Sequence, residues 1–205
     1  EIGSGLVGSE MCIRDSAYTR ERLGWVDIPE IQIGAAGTSL TLYAPGDSDD
    51  ILGSKPQAAK IKLPLSTSEY FVIEYRKQGT GRDYNNPINN LDRYIGSSGL
   101  IVYRVNERYA NQGNFRGNDF VYVFRPGEKS LTASTGEINR AAICTEPYTV
   151  QNTPLGTVTL NSSIGSLDPN ADITKGAICY SNGDNSGLLI TATGQTDNSI
   201  TISVK

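Results

Sequence analysis

The chain has 205 residues, 38% of them hydrophobic and 20% charged, with a formal net charge of -4. That is enough apolar material for one domain or two small β units, and too much for wholesale disorder. Scattered lysine and arginine exclude a basic nucleic-acid surface, no apolar run reaches membrane-spanning length, and the absence of histidine excludes Ser-His-Asp chemistry, Cys-His chemistry and a His-ligated zinc site within this chain.

The first sixteen residues, EIGSGLVGSEMCIRDS, form neither a signal peptide nor a patterned helix. They lack a basic start and an apolar core of the needed length. Gly5 to Ser16 resembles the translation of a transposase adapter used in sequencing libraries. Residues 1–16 are therefore expected to be a non-native, disordered addition. On that reading Met11 is no start codon, and the gene continues upstream of Ala17.

From Ser16 the pattern predicts one short helix, SAYTRERL, capped by Ser16 and stopped by Gly24. An apolar segment then runs from Trp25 and Val26 to Pro29. After that strands dominate. Thr38–Tyr43 is β-rich, and the acidic turn with Asp47, Asp49 and Asp50 reads as a solvated loop. Lys60–Leu65 alternates, with Ile61, Leu63 and Leu65 on one face and Pro64 marking a sheet edge.

Glu69–Arg76, EYFVIEYR, has the strongest central-strand pattern. Phe71, Ile73 and Tyr75 point one way, and Tyr70, Val72, Glu74 and Arg76 the other. A long polar connection, Lys77 to Ser98, precedes a second buried strand, Gly99–Asn106. A third is Asp119–Phe124, stopped by Arg125-Pro126-Gly127. Further strands are expected at Thr157–Leu160, Ala177–Tyr180, Gly187–Ala192 and Ser199–Val204, with a turn at Asn182-Gly183-Asp184. The predicted class is mainly β: antiparallel sheets or a β-sandwich with one short N-terminal helix. Composition shifts too little to fix a boundary; Glu146 to Thr153 is the best place for one, giving units 17–145 and 146–205.

Few residues stand out as carriers of chemistry. Glu74 and Arg76 share a strand face, as an ion pair within the fold or a pair on the side of a cleft. Cys144 and Cys179 are a candidate disulfide, worth about 3–4 kcal/mol in an oxidising compartment, or else two buried thiols. Asp168, Asn170 and Asp172 have the D-x-N-x-D spacing of a calcium loop. Ile173 replaces the required glycine, and Cys179 stands where the closing Glu belongs, so an Asx turn is the competing reading. The scattered tyrosines fit a sugar-binding face or ordinary cross-strand packing.

The segment order SAYTRERLGWVD, KIKLPLSTSEYFVIEYR, GSSGLIVYRVN and NDFVYVFRPGE resembles the C-terminal part of the immune inhibitor A family of secreted bacterial zinc metalloproteases. The matching positions are Leu23-Gly24-Trp25, then Glu69, Tyr70, Phe71, Glu74 and Arg76, then Gly99, Leu100 and Tyr103. The likeness is good from Ser16 to Arg125 and looser to Lys205. Tyr75 stands where many members have Asn, and Arg104 where many have His. The family's His-Glu-x-x-His helix is absent.

The resemblance implies a parent that is a secreted or cell-surface bacterial zinc endopeptidase. Residues 17–145 would be a β-rich subdomain walling its cleft, with 146–205 packed on it. The partners implied are a missing N-terminal catalytic subdomain, which would hold the zinc, and a protein or peptide substrate. This chain alone is predicted to be inactive, with no nucleic-acid partner and no transmembrane segment. The alternative is a non-catalytic secreted β-sandwich for adhesion or glycan binding.

Overall fold

The computed structural model describes residues 16–24, 26–44, 55–78, 95–110, 119–125, 140–146, 148–153, 156–168, 170–171 and 176–205. The adapter-like residues before Ser16, Trp25, the acidic turn at Asp47, Asp49 and Asp50, most of the 77–98 connection and Asp172 lie outside them. The described chain is mainly β: two antiparallel four-stranded sheets, a two-stranded hairpin and one short helix.

The helix, α1, is Ala17–Arg22. Ser16 caps it, its Oγ accepting from the Thr19 N–H at 3.2 Å. Arg20 and Arg22 lie in its last turn, where cations suit the helix dipole. Gly24, at φ 73°, turns the chain away. The expected helix is thus present at its expected position.

The first sheet has the order β2-β3-β4-β5, with β2 at Ala58–Ile61, β3 at Glu69–Arg76, β4 at Gly99–Asn106 and β5 at Val121–Val123. β3 and β4 pair along their whole length, from Glu69 opposite Asn106 to Arg76 opposite Gly99. Every β4 residue is buried, and every β3 residue but Glu69. A strand buried on both sides needs cover on both sheet faces. Here it has both. Phe71, Ile73, Tyr75, Leu100 and Val102 enter one core cluster; Tyr70, Val72, Ile101, Tyr103 and Val105 enter a second, with Ala17 and Tyr18 of α1.

The second sheet has the order β1-β10-β9-β8, with β1 at Thr38–Tyr43, β8 at Ser163–Gly165, β9 at Leu189–Gln195 and β10 at Ser199–Val204. Its alternation is regular: Ile200, Ile202 and Val204 are buried, while Ser199, Thr201 and Ser203 are not. Leu42 and Ile190 join the same inner row. These side chains and those of Phe71, Ile73 and Tyr75 form one cluster, so the sheets pack face to face as a sandwich. The remaining pair, β6 (Tyr148–Thr153) and β7 (Gly156–Leu160), forms a hairpin. β1 comes from the first expected unit and three of its sheet-mates from the second, so the 146–205 segment completes a sheet begun far upstream.

Several expected strands shift. The pairing near Lys60 begins earlier, at Ala58, and ends at Ile61. Pro64 offers no N–H to a ladder, and Leu65 is 71% exposed instead of sharing a buried face with Ile61. β2 is nonetheless an edge strand, its open side bridged by Glu30 to Lys60. Ala177–Tyr180 makes only an isolated bridge, Cys179 to Asn185. β5 is shorter than expected, and β6 and β8 were not expected at all.

Candidate functional site

Sheet face and charge combine at one place, beneath α1. Glu74 is 1% exposed. A carboxylate so deep needs partners on both oxygens. Its Oε1 accepts from Arg76 Nε at 3.1 Å. Its Oε2 accepts from the Ala17 backbone N–H at 2.8 Å and from Arg20 Nη2 at 3.4 Å. The strand pair that the sequence singled out is therefore brought together, and it faces a helix.

Tyr103, one strand over on the same face, completes the seat. Its hydroxyl oxygen accepts from the Tyr18 N–H at 3.0 Å. Burial, and then the nearby Glu74 charge, push this phenol well above its ordinary value, so it stays neutral. A helix cannot satisfy its own first N–H groups. In α1 the first two go to side chains of β3 and β4, and the third to Ser16.

An outer ring of polar groups surrounds this seat. Lys60 Nζ donates to Glu21 Oε2 at 2.9 Å, and Arg20 Nη1 donates to Gln57 Oε1 at 2.6 Å. Tyr70 donates to Glu107 Oε1 at 2.9 Å, and Tyr18 to the same oxygen at 3.4 Å. Burial, with Glu107 beside it, raises the Tyr18 phenol to about 12. Tyr70 is raised further by burial and by its bond to Glu107.

At the sandwich end of the same sheet lies a second charged cluster, which the sequence reading did not single out as a site. Arg104 is 1% exposed, with Nε 3.4 Å from Glu69 Oε2 and Nη1 donating to the Cys179 carbonyl at 3.0 Å. Glu69 accepts from the Ser181 N–H at 2.8 Å and its hydroxyl at 2.5 Å. An arginine amid the apolar residues of GLIVYRVN was the available signal, since a buried guanidinium demands an acid nearby. At the opposite end Tyr75 donates to the Thr196 carbonyl at 3.0 Å, and Gln195 Nε2 to the Ser98 carbonyl at 3.0 Å.

The other candidates lie apart from the seat under α1. Cys144 and Cys179 are thiols packed in different clusters, on opposite sides of the β3–β4 sheet, so the candidate disulfide is not formed. The Cys144 thiol donates to the Ser98 carbonyl at 3.3 Å, and burial raises the Cys179 thiol. Asp168 Oδ1 accepts from the Asn170 N–H at 2.9 Å, an Asx turn, and Asp172, the third residue of the D-x-N-x-D spacing, lies outside the described residues. Among the described residues no three of His, Cys, Asp and Glu cluster in a way that could hold a metal ion. No described helix is long and apolar enough to cross a membrane.

What the arrangement can do chemically is hold. Glu74 and Arg20 join β3 to α1, Arg76 fixes the Glu74 carboxylate, and Glu69 and Arg104 hold the 179–181 segment. No family model, curated protein or solved structure matches this chain.

Proposed function

We propose that this chain is the β-rich subdomain of a secreted zinc endopeptidase of the immune inhibitor A type, acting as scaffold and cleft wall while the zinc-binding residues lie elsewhere in the protein. The observation that carries the reading is the fate of the family-like pattern. Glu69 and Glu74, charged groups of the central strand β3, each hold another segment in place, and Arg76 fixes the Glu74 carboxylate. Gly99 of the same pattern is equally accounted for: a Cβ there would lie 2.6 Å from the Ile143 carbonyl oxygen. These are the roles of a support.

The test is to read the native locus across Ser16. A His-Glu-x-x-His codon run within about 100 residues upstream is expected. An uninterrupted frame without it withdraws the peptidase reading. The isolated chain is expected to cleave no casein; chelator-sensitive cleavage would place the catalytic groups here after all.

A second reading, a non-catalytic adhesion or glycan-binding module, is favoured by one observation: two four-stranded antiparallel sheets sharing a core. Further β repeats upstream of Ser16 would support it, so the same locus decides between the two.

A further inference from the structure

We propose that Glu74 is a positioning residue: it fixes where α1 begins on the β3–β4 sheet, and through α1 that sheet orients the polypeptide preceding Ser16. The identity of that polypeptide as a peptidase half rests on the reading above. The role of Glu74 rests on geometry alone.

A six-residue helix has no stability of its own, so its position is whatever its contacts dictate. The contacts are concentrated at its first turn. Ser16 and Ala17 are 4% and 0% exposed. One carboxylate oxygen, Glu74 Oε2, takes both the Ala17 N–H and Arg20 Nη2, three residues further on. It thus grips the backbone and a side chain of the same face. Arg76 holds the other oxygen and fixes the carboxylate. Tyr103 takes the next N–H from a neighbouring strand. The far end of α1 is held by more exposed pairs, such as Arg22 with Glu107 at 3.8 Å, which restrain little. The opposite face of β3 is anchored independently in the sandwich core. Loss of Glu74 should therefore free α1 while the sheets persist.

Amide hydrogen exchange on this chain tests the anchor. Wild-type Ala17 and Tyr18 amides are expected to be protected. Glu74→Ala should speed their exchange about tenfold or more while Val102 and Arg104 amides keep their protection. Glu74→Gln retains an acceptor without the charge and should give a smaller increase. Tyr103→Phe should expose the Tyr18 amide alone. Wild-type exchange at Ala17 and Tyr18 in both Glu74 variants overturns the proposal, as does equal loss of protection in the strands.

The orienting role is tested in the full-length protein read from the native locus, assayed on a casein-derived peptide. Glu74→Ala should lower kcat about 10- to 100-fold with KM little changed, and Glu74→Asp should recover part of it. Unchanged kcat in a variant whose α1 amides are freed overturns the role. A wild-type full-length protein without peptidase activity would instead overturn the peptidase reading, and exchange would still decide whether Glu74 anchors α1.

Discussion

The two faces of the β3–β4 sheet solve the same burial problem with different chemistry. Toward the second sheet the contact is mainly apolar, with Phe71, Ile73, Leu100 and Val102 in one cluster with Leu42, Ile190, Ile200 and Ile202, and the buried Arg104–Glu69 pair is confined to one end, where it holds the 179–181 segment. Toward α1 the apolar residues Val72, Ile101 and Val105 are joined by the buried Glu74, Arg76 and Tyr103. The difference follows from what each face must cover. A sheet satisfies its own backbone within its ladders, so sheet-on-sheet packing asks only for shape. A helix brought end-first against a sheet carries bare N–H groups, and the sheet must supply acceptors. Apolar packing on one face provides stability; directed polar contacts on the other provide register.

The largest expected effect lies on the apolar face. Phe71 is fully buried between Phe124 and Tyr180, with ring centroids 6.1 and 5.4 Å away. Phe71→Ala should destabilise the chain by about 3–5 kcal/mol. The measure is the urea midpoint, with the slope unchanged. A loss confined to α1, with the sheets as stable as before, would mean the two faces do not divide their roles in this way.

Gly99→Ala probes the join between the faces and should cost less, about 1–3 kcal/mol. The added Cβ would meet the Ile143 carbonyl oxygen at 2.6 Å, the Ala142 Cβ at 3.1 Å and Cys144 Sγ at 3.1 Å. The first is backbone, tied to Leu100 by two hydrogen bonds of 2.9 Å, and cannot swing aside. Unfolding in denaturant would measure the loss; a neutral outcome would show that the 141–144 segment yields freely.

Alkali should reach the polar face through Tyr18. Tyr18, Tyr70 and Tyr103 there are all raised, by burial first, as are Tyr75 and Tyr180 on the sandwich side. Their phenols are thus held protonated in the folded state. The stabilisation is fully present below the unfolded value of 10 and, for Tyr18, is lost as pH rises through about 12. Tyrosinate absorbance followed with far-ultraviolet circular dichroism should show α1 loosening in that window before the sheets unfold. Simultaneous loss of both signals would contradict a separable α1 face.

Much of this contrast was legible in the sequence. The split of β3 into Phe71, Ile73 and Tyr75 against Tyr70, Val72, Glu74 and Arg76 is the observed one, because a period of two leaves no freedom once a strand is central. The Ser16 cap and the Gly24 stop were legible because they act within a few residues. The partners of Glu74 were not. Ala17 lies 57 residues away in sequence and Tyr103 belongs to another strand, and periodicity carries no information about which segments meet. The same limit hid the Ser181 contact to Glu69, at a separation of 112. It also made Cys144 and Cys179 look equivalent, since matching Ala-Ile-Cys runs do not reveal which side of a sheet each one reaches.

The smallest effect is expected on the solvent face of the second sheet, and it fixes the baseline for the others. There the hydroxyls of Thr41 and Thr201 lie 2.9 Å apart on paired strands, and Thr193 donates to the Thr201 carbonyl at 3.2 Å. Each of these threonines is at least partly exposed, so water can replace whatever hydrogen bond is removed. Thr41→Val keeps the β-branched shape that suits a strand and deletes one hydroxyl. Its cost should stay within about 0.5 kcal/mol, as for surface sites generally. Comparison with Tyr103→Phe, which also deletes one hydroxyl but strands the buried Tyr18 N–H, isolates the cost of an unmet helix donor, about 1–3 kcal/mol. If the two substitutions cost the same in denaturant unfolding, the N–H groups of α1 find other acceptors, and the polar face is not the register-setting surface its geometry describes.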